Sequence, residues 1–251
     1  MVIGMDEFIP YCGPPPGANT LLANWNLDPL AVGLVVLVMA GGLYARGSLR
    51  ITGHQPAYAA IASLGLAIAF ISPLCALTVA LFSARSLHHL VLLCIVAPAL
   101  ALAFRQVRFP DGAGVAAFAA VSLILWSWHV PAIYSAAWNS HFIYWIMQFL
   151  LIASGFAFWA SIFRSEGSAG QVRAALLLAA LAGQMGLIGA ILTFSGNILY
   201  SEHMLLTDAF GLSALGDQQL AGLVMWVPGM IPLAWIAALI LRRGWREVSA
   251  A

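Results

Sequence analysis

The sequence predicts an all-α membrane protein: a single domain over residues 1–251, built as a bundle of seven transmembrane helices, with the N-terminus outside and the C-terminus in the cytoplasm. Three observations carry this. Of the 251 residues, 63% are apolar and 8% charged, where a soluble domain carries about 25% charged residues. The mean hydropathy is +0.96. Apolar runs of spanning length recur along the chain, and the arginines collect in alternate loops between them. The same arithmetic excludes disorder, a coiled coil and nucleic-acid binding, and a net charge of +1 advertises no large basic or acidic partner surface.

A spanning helix needs roughly 20 apolar residues. Taken in order, the runs are 29–45, 56–82, 86–104, 113–134, 142–163, 172–194 and 219–241. Each is apolar around most of its circumference, as lipid-facing bundle helices are. Arg46 and Arg50 follow the first span, Arg105 and Arg108 the third, Arg164 and Arg173 flank the link between the fifth and sixth, and Arg242, Arg243 and Arg246 follow the seventh. With alternating helices these nine share one side, which is cytoplasmic, and only Arg85 lies outside. No basic region precedes an apolar core near the start, so no cleavable leader is expected. The longest non-apolar stretches are an outer N-terminal segment, 1–28, and an outer loop, 195–218. Pro73, Pro98, Pro228 and Pro232 interrupt apolar runs and predict kinks that free backbone carbonyls.

All ten basic residues are arginine, so a retinal Schiff base, which needs a lysine, is excluded. Cys12, Cys75 and Cys94 are too few and too scattered for a disulfide framework or a paired-thiol zinc site. Cys75 and Cys94 lie in apolar runs, where cysteine behaves as a small hydrophobe. Trp126, Trp128, Trp138 and Trp145 read as an aromatic belt, and Gly183, Gly186 and Gly189 as a close-packing face. No phosphate-binding loop, nucleophile triad or paired catalytic carboxylates occur, so the chain gives no sign of being an enzyme.

Five of the six histidines, His88, His89, His129, His141 and His203, map to the outer half, and His54 to the inner side. His89 and His129 are the principal candidates, two imidazoles in one shallow layer suited to copper or to haem iron, with a hydrogen bond between helices as the structural alternative. His88 points about 100° away from His89, toward headgroups or a neighbouring helix. His141 and His203 read as solvated loop residues. Cys12 and Met204 are soft donors on the same side, each more simply a turn cysteine and a packing methionine. Arg85 lies one helical turn before His88 and His89, and its charge disfavours a second cation there. Glu202, Asp208 or Asp217 offer it a carboxylate, and a lipid phosphate or haem propionate would also suit it.

Several segments together resemble the multi-spanning CtaG-type cytochrome c oxidase assembly proteins. They are GDQQLAGLVMWVPG from Gly216 to Gly229, WSWHVPAIYSAAW from Trp126 to Trp138, FSARSLHHL from Phe82 to Leu90, FLLIASGFAFW from Phe149 to Trp159, and IPYCGPPPG with WNLDP near the start. The resemblance implies seven helices in a bacterial inner membrane and an accessory role in assembling a haem–copper oxidase. It further implies copper presented from an outer-face site to the core subunit, or that subunit's stabilisation. His89 and His129 stand at family histidine positions. Arg85 replaces the first histidine of the family's F-S-A-H-x-x-x-H pattern, and Met147 and Gln148 stand where a Glu-His pair is typical. Gln148 and His88 are then supporting donors, while Asp217, Gln218, Gln219 and Trp226 belong to a partner-facing outer block. Two further readings stay open: an electron-transfer protein holding haem b between His89 and His129, and a metal-free subunit or chaperone of an oxidase complex.

Overall fold

The computed structural model describes residues 8–48, 54–107, 109–110 and 112–249. Arg50 and Arg108, counted in the topology above, lie outside the described residues, as do residues 1–7 of the outer segment. Every long element among the described residues is an α-helix, for the reason the composition sets: lipid offers the backbone no partner, so each peptide group bonds within its own segment. The helices are α1 (Pro29–Ser48), α2 (Gln55–Phe70), α3 (Pro73–Ala80), α4 (Phe82–Val91), α5 (Ala97–Ala103), α6 (Ala113–Trp128), α7 (Pro131–Trp138), α8 (His141–Phe163), α9 (Gly167–Phe194) and α10 (Ala214–Ser249). Four stretches are long and apolar enough to cross a membrane: Phe82–Ala103, α8, α9 and Ala214–Arg246. Counting each bent pair as one span, α2 with α3 and α6 with α7, raises the number to six. The first expected span, 29–45, is an apolar helix of less than spanning length.

Prolines set the breaks. Ser72 caps α3 by accepting from the Leu74 amide at 3.2 Å, and Pro73 starts that helix after a bend of 42°. Pro131 does more. It pushes Val130 into an extended conformation, so α6 ends at His129 and α7 leaves at 76°. The straight span expected over 113–134 is therefore two helices with a histidine at the joint. Between α4 and α5 a π-turn, Leu92–Val96, closes with the Ala97 amide reaching Leu92. The next amide in that register belongs to Pro98 and does not exist, and the freed Leu93 carbonyl accepts instead from Trp159 Nε1 at 2.7 Å.

The third span starts at Phe82 rather than near 86, which puts His88 and His89 about two turns into the helix. Its first amides are held from across the bundle: Asp217 of α10 accepts from Phe82 N at 2.6 Å, from Ser83 N at 3.2 Å and from the Ser83 hydroxyl. The α9–α10 pair meets through small residues at one point, where the Gly189 carbonyl lies 2.4 Å from the position a Cβ on Gly222 would take. Gly183 has open space instead, so the expected glycine face narrows to Gly189 and Gly186, the latter in ordinary contact with Met230 and Trp226 of α10.

The loops gather at two ends. Arg164 donates to the carbonyls of Arg105, at 2.6 Å, and Val107 at one end. At the other, His141 bonds the Ile9 carbonyl at 2.9 Å, and Ser135 donates to Glu202. The N-terminal segment is pinned there by a disulfide between Cys12 and Cys75, which overturns the expectation of three unlinked cysteines; folding brings the two α-carbons to 5.3 Å across 63 residues of sequence. Tyr11 adds a bond of 2.9 Å to Asp28. Burial and that carboxylate push the Tyr11 phenol up, so it keeps its proton as donor. Asp28 in turn caps α1 through Leu30 N at 2.9 Å.

Candidate functional site

Below that pinned segment lies a buried polar layer. Arg85, His88, His89, Gln148, His203 and Asp217 are each between 0 and 4% exposed. Such groups are costly inside a membrane bundle unless they are bonded to something. Among the described residues, neither ring nitrogen of His88 or His89 has a hydrogen-bond partner, nor does either amide atom of Gln148.

His129 owes its orientation to the break. The end of α6 leaves orphan carbonyls, and the His129 ring turns back to meet one, with Nδ1 2.6 Å from the Leu125 oxygen. A carbonyl only accepts, so Nδ1 carries the proton and Nε2 keeps its lone pair. Tyr200 fixes the same joint by donating to the His129 carbonyl at 2.9 Å. The rings of His89 and His129 stand 6.1 Å apart, and those of His88 and His89 5.8 Å. Of the two directions that its helical angle leaves open, His88 takes the neighbouring helix: it is wholly buried, edge-on to Phe70 of α2 at 5.1 Å. Trp128, expected in an interfacial belt, lies against His89 at 4.6 Å. Among the described residues no group of three His, Cys, Asp or Glu side chains is placed to hold a metal ion. The candidate donors therefore reduce to pairs.

The remaining candidates scatter. Cys12 is bonded to Cys75 and offers no thiolate while that bond stands. Met204 is 47% exposed in the loop between α9 and α10. Asp217 does not neutralise Arg85; its two oxygens are taken by the start of α4. Gln218 shapes the loop between α9 and α10 by accepting from Leu199 N at 2.7 Å and donating to the Asn197 carbonyl at 3.1 Å. Gln219 reaches the Ser195 carbonyl at 3.5 Å, and Trp226 packs edge-on against Phe194 at 6.2 Å. His141 stays at the surface.

Three residues join the layer that the sequence leaves unmarked as site residues. His203, read there as solvated, is buried and shares a hydrogen bond of 2.7 Å with Tyr134. Burial, then the Arg85 charge, press its imidazole down to about 3. Tyr134 and Tyr144 line a small cavity with Arg85. Tyr134 lies in the W-x-W-H-x-P-x-x-Y segment, where a signal was available; Tyr144 carries none, being one aromatic among many in α8.

Fold and site together define an all-helical membrane protein that buries imidazoles in a polar layer toward one end of its bundle. The sequence model of the cytochrome c oxidase caa3 assembly factor family (Caa3_CtaG) matches residues 105–247, more than half of the chain, and the protein belongs to that family. The matched stretch includes His129, Gln148, Asp217 and Trp226, while Arg85, His88, His89 and the disulfide lie before it. No curated protein and no solved structure matches the chain.

Proposed function

We propose that this assembly factor handles copper for a haem–copper cytochrome c oxidase, holding Cu(I) between His89 and His129 and passing it to the oxidase core subunit. The observation that carries the reading is the pair of rings 6.1 Å apart, one of them locked with Nε2 free. Two metal–nitrogen bonds of ~2 Å, with ~1 Å from each nitrogen to its ring centre, span roughly 6 Å. Imidazole suits copper, and a two-donor site suits the monovalent ion; a divalent ion needing three or four donors does not fit. His129 and His89 would hold the metal, and His88 and Gln148, both buried without partners, are the nearest supporting donors. The ion supplies no redox step here: it is cargo. The residues orient it and keep water from it. The protein would sit in a bacterial inner membrane with this end of the bundle outside, where the recipient subunit takes its copper.

A haem between the same imidazoles has less support, because Trp128 and His88 already flank His89 where a porphyrin would lie. A metal-free chaperone is favoured by one observation, the Arg85 charge beside the imidazoles.

Metal analysis and Cu(I) titration of detergent-purified full-length protein, beside His89→Ala/His129→Ala, decide among the three. About one copper per chain, lost in the double variant, is the expected result. Colourless, metal-free wild type that takes up no Cu(I) overturns the copper reading. The chaperone role then stands if the double variant still supports oxidase assembly in cells.

A further inference from the structure

Arg85 is 4% exposed and, among the described residues, has no carboxylate to pair with. Asp217 is committed to the start of α4, Glu202 to Ser135, and Asp208 is exposed. Among the described residues nothing accepts from Arg85 Nε or Nη1, and Nη2 makes only a long 3.5 Å contact to the Thr78 carbonyl. A guanidinium cannot shed its proton, and a buried, unpaired charge is strongly disfavoured. The side chain lines a cavity of about 10 Å³ with Pro10, Tyr11, Trp128, Tyr134, Ala137, Trp138 and Tyr144. Tyr11 and Pro10 of the disulfide-pinned segment close it toward the outside.

The walls hold donors in excess. Trp128 Nε1, a donor only, has no acceptor among the described residues. The Tyr144 hydroxyl faces the Arg85 guanidinium and the Gln148 amide and has a sulfur at 4.0 Å, and the guanidinium stands 5.4 Å over that ring and 6.0 Å from that of Trp128. Among the described residues no carboxylate borders the space.

We infer that Arg85, Trp128 and Tyr144 form a binding site for a small inorganic anion of halide size. A cation with surplus N–H and O–H donors around a space of one water's volume matches a monatomic anion and is too small for phosphate, sulfate or a lipid headgroup. The site explains why an arginine is tolerated beside imidazoles: the anion offsets its charge. The inference goes beyond the copper reading and stands without it.

The test uses full-length protein purified in gluconate, with chloride or bromide replacing gluconate at constant ionic strength while the thermal unfolding midpoint is followed. Wild type is expected to rise in midpoint with the logarithm of halide concentration, as a ligand bound only by the folded state requires. Arg85→Gln is expected to lose the response, and in gluconate to unfold no lower than wild type, having shed an unpaired charge. Trp128→Phe, which keeps the ring and removes one donor, is expected to need roughly tenfold more halide for the same rise. A wild type indifferent to halide, or an Arg85→Gln variant that keeps the full response, overturns the proposal, the first by leaving water as the occupant. Should Arg85→Gln fail to fold, the Trp128→Phe shift and a bromide anomalous peak beside Arg85 in crystals decide it alone.

Discussion

The contact between α9 and α10 and the contact between α4 and the α6–α7 joint are two ways of holding membrane helices together. At the first, Gly189 and Gly222 bring backbone against backbone, and the Thr193 hydroxyl fills the seam and donates to the Gln219 carbonyl at 3.4 Å; close packing dominates, as small residues between membrane helices allow. At the second, Asp217 of α10 fixes the start of α4 and Leu125 fixes the His129 ring at the end of α6, while the helices face each other through imidazoles and donors with few partners. The first contact is saturated and has nothing left to offer a ligand. The second is held by some of its polar groups and leaves the rest unspent, and that is where a site can be. In a membrane bundle, function is to be sought where the polar accounting fails to close.

The comparison breaks hardest at the glycine seam. Gly222→Val would put its Cβ 2.3 Å from Thr193 Oγ1 and 2.4 Å from the Gly189 carbonyl, and backbone cannot step aside. The expected cost is about 3 kcal/mol or more, read as loss of folded protein from the membrane fraction. Gly183→Ala, two turns away in open space, is expected to leave the yield intact. Equal behaviour of the two variants would sink the shape argument.

Asp217→Ala comes next. It removes the acceptor for two amides and a hydroxyl at the start of α4, an expected loss of about 2–3 kcal/mol, and it tilts the helix that carries His88 and His89. Thermal unfolding together with Cu(I) uptake checks it; unchanged values in both would show that α4 needs no cap from α10.

The smallest effect sharpens the polar side. His203 is held neutral, with its imidazole pressed down to about 3 by burial first and Arg85 second, against about 6.5 in an unfolded chain. The folded state therefore binds fewer protons than the unfolded one below about pH 6.5. Its contribution is intact above that pH and erodes as pH falls toward 3, by about 1.4 kcal/mol per pH unit. Unfolding midpoints at pH 7.5 and 5.5 are expected to differ less in His203→Gln than in wild type, and equal differences would remove His203 as the cause.

Much of the bundle was legible. Apolar runs marked every long helix because lipid demands continuous apolar stretches, and the segment WSWHVPAIY held both His129 and the proline that bends the chain. The errors share one origin. His203 reads as solvated from its loop position, yet it is buried, because burial depends on which helices close over a side chain. Cys12 and Cys75 read as unrelated because 63 residues separate them. Asp217 was matched to Arg85 by sign of charge, whereas the unfilled amides at the start of α4 won it.

By itself the sequence determined that this chain is an all-helical membrane protein, and the family to which it belongs. Composition and local pattern suffice for these, since each peptide group in lipid must be satisfied within its own helix. Only the tertiary structure decided that His129 sits on a broken helix with Nε2 free, that the N-terminal segment is tied over the polar layer, and that Arg85 has no carboxylate partner among the described residues. Those outcomes depend on which distant groups meet, and hydrogen bonds and charges act only at contact distance.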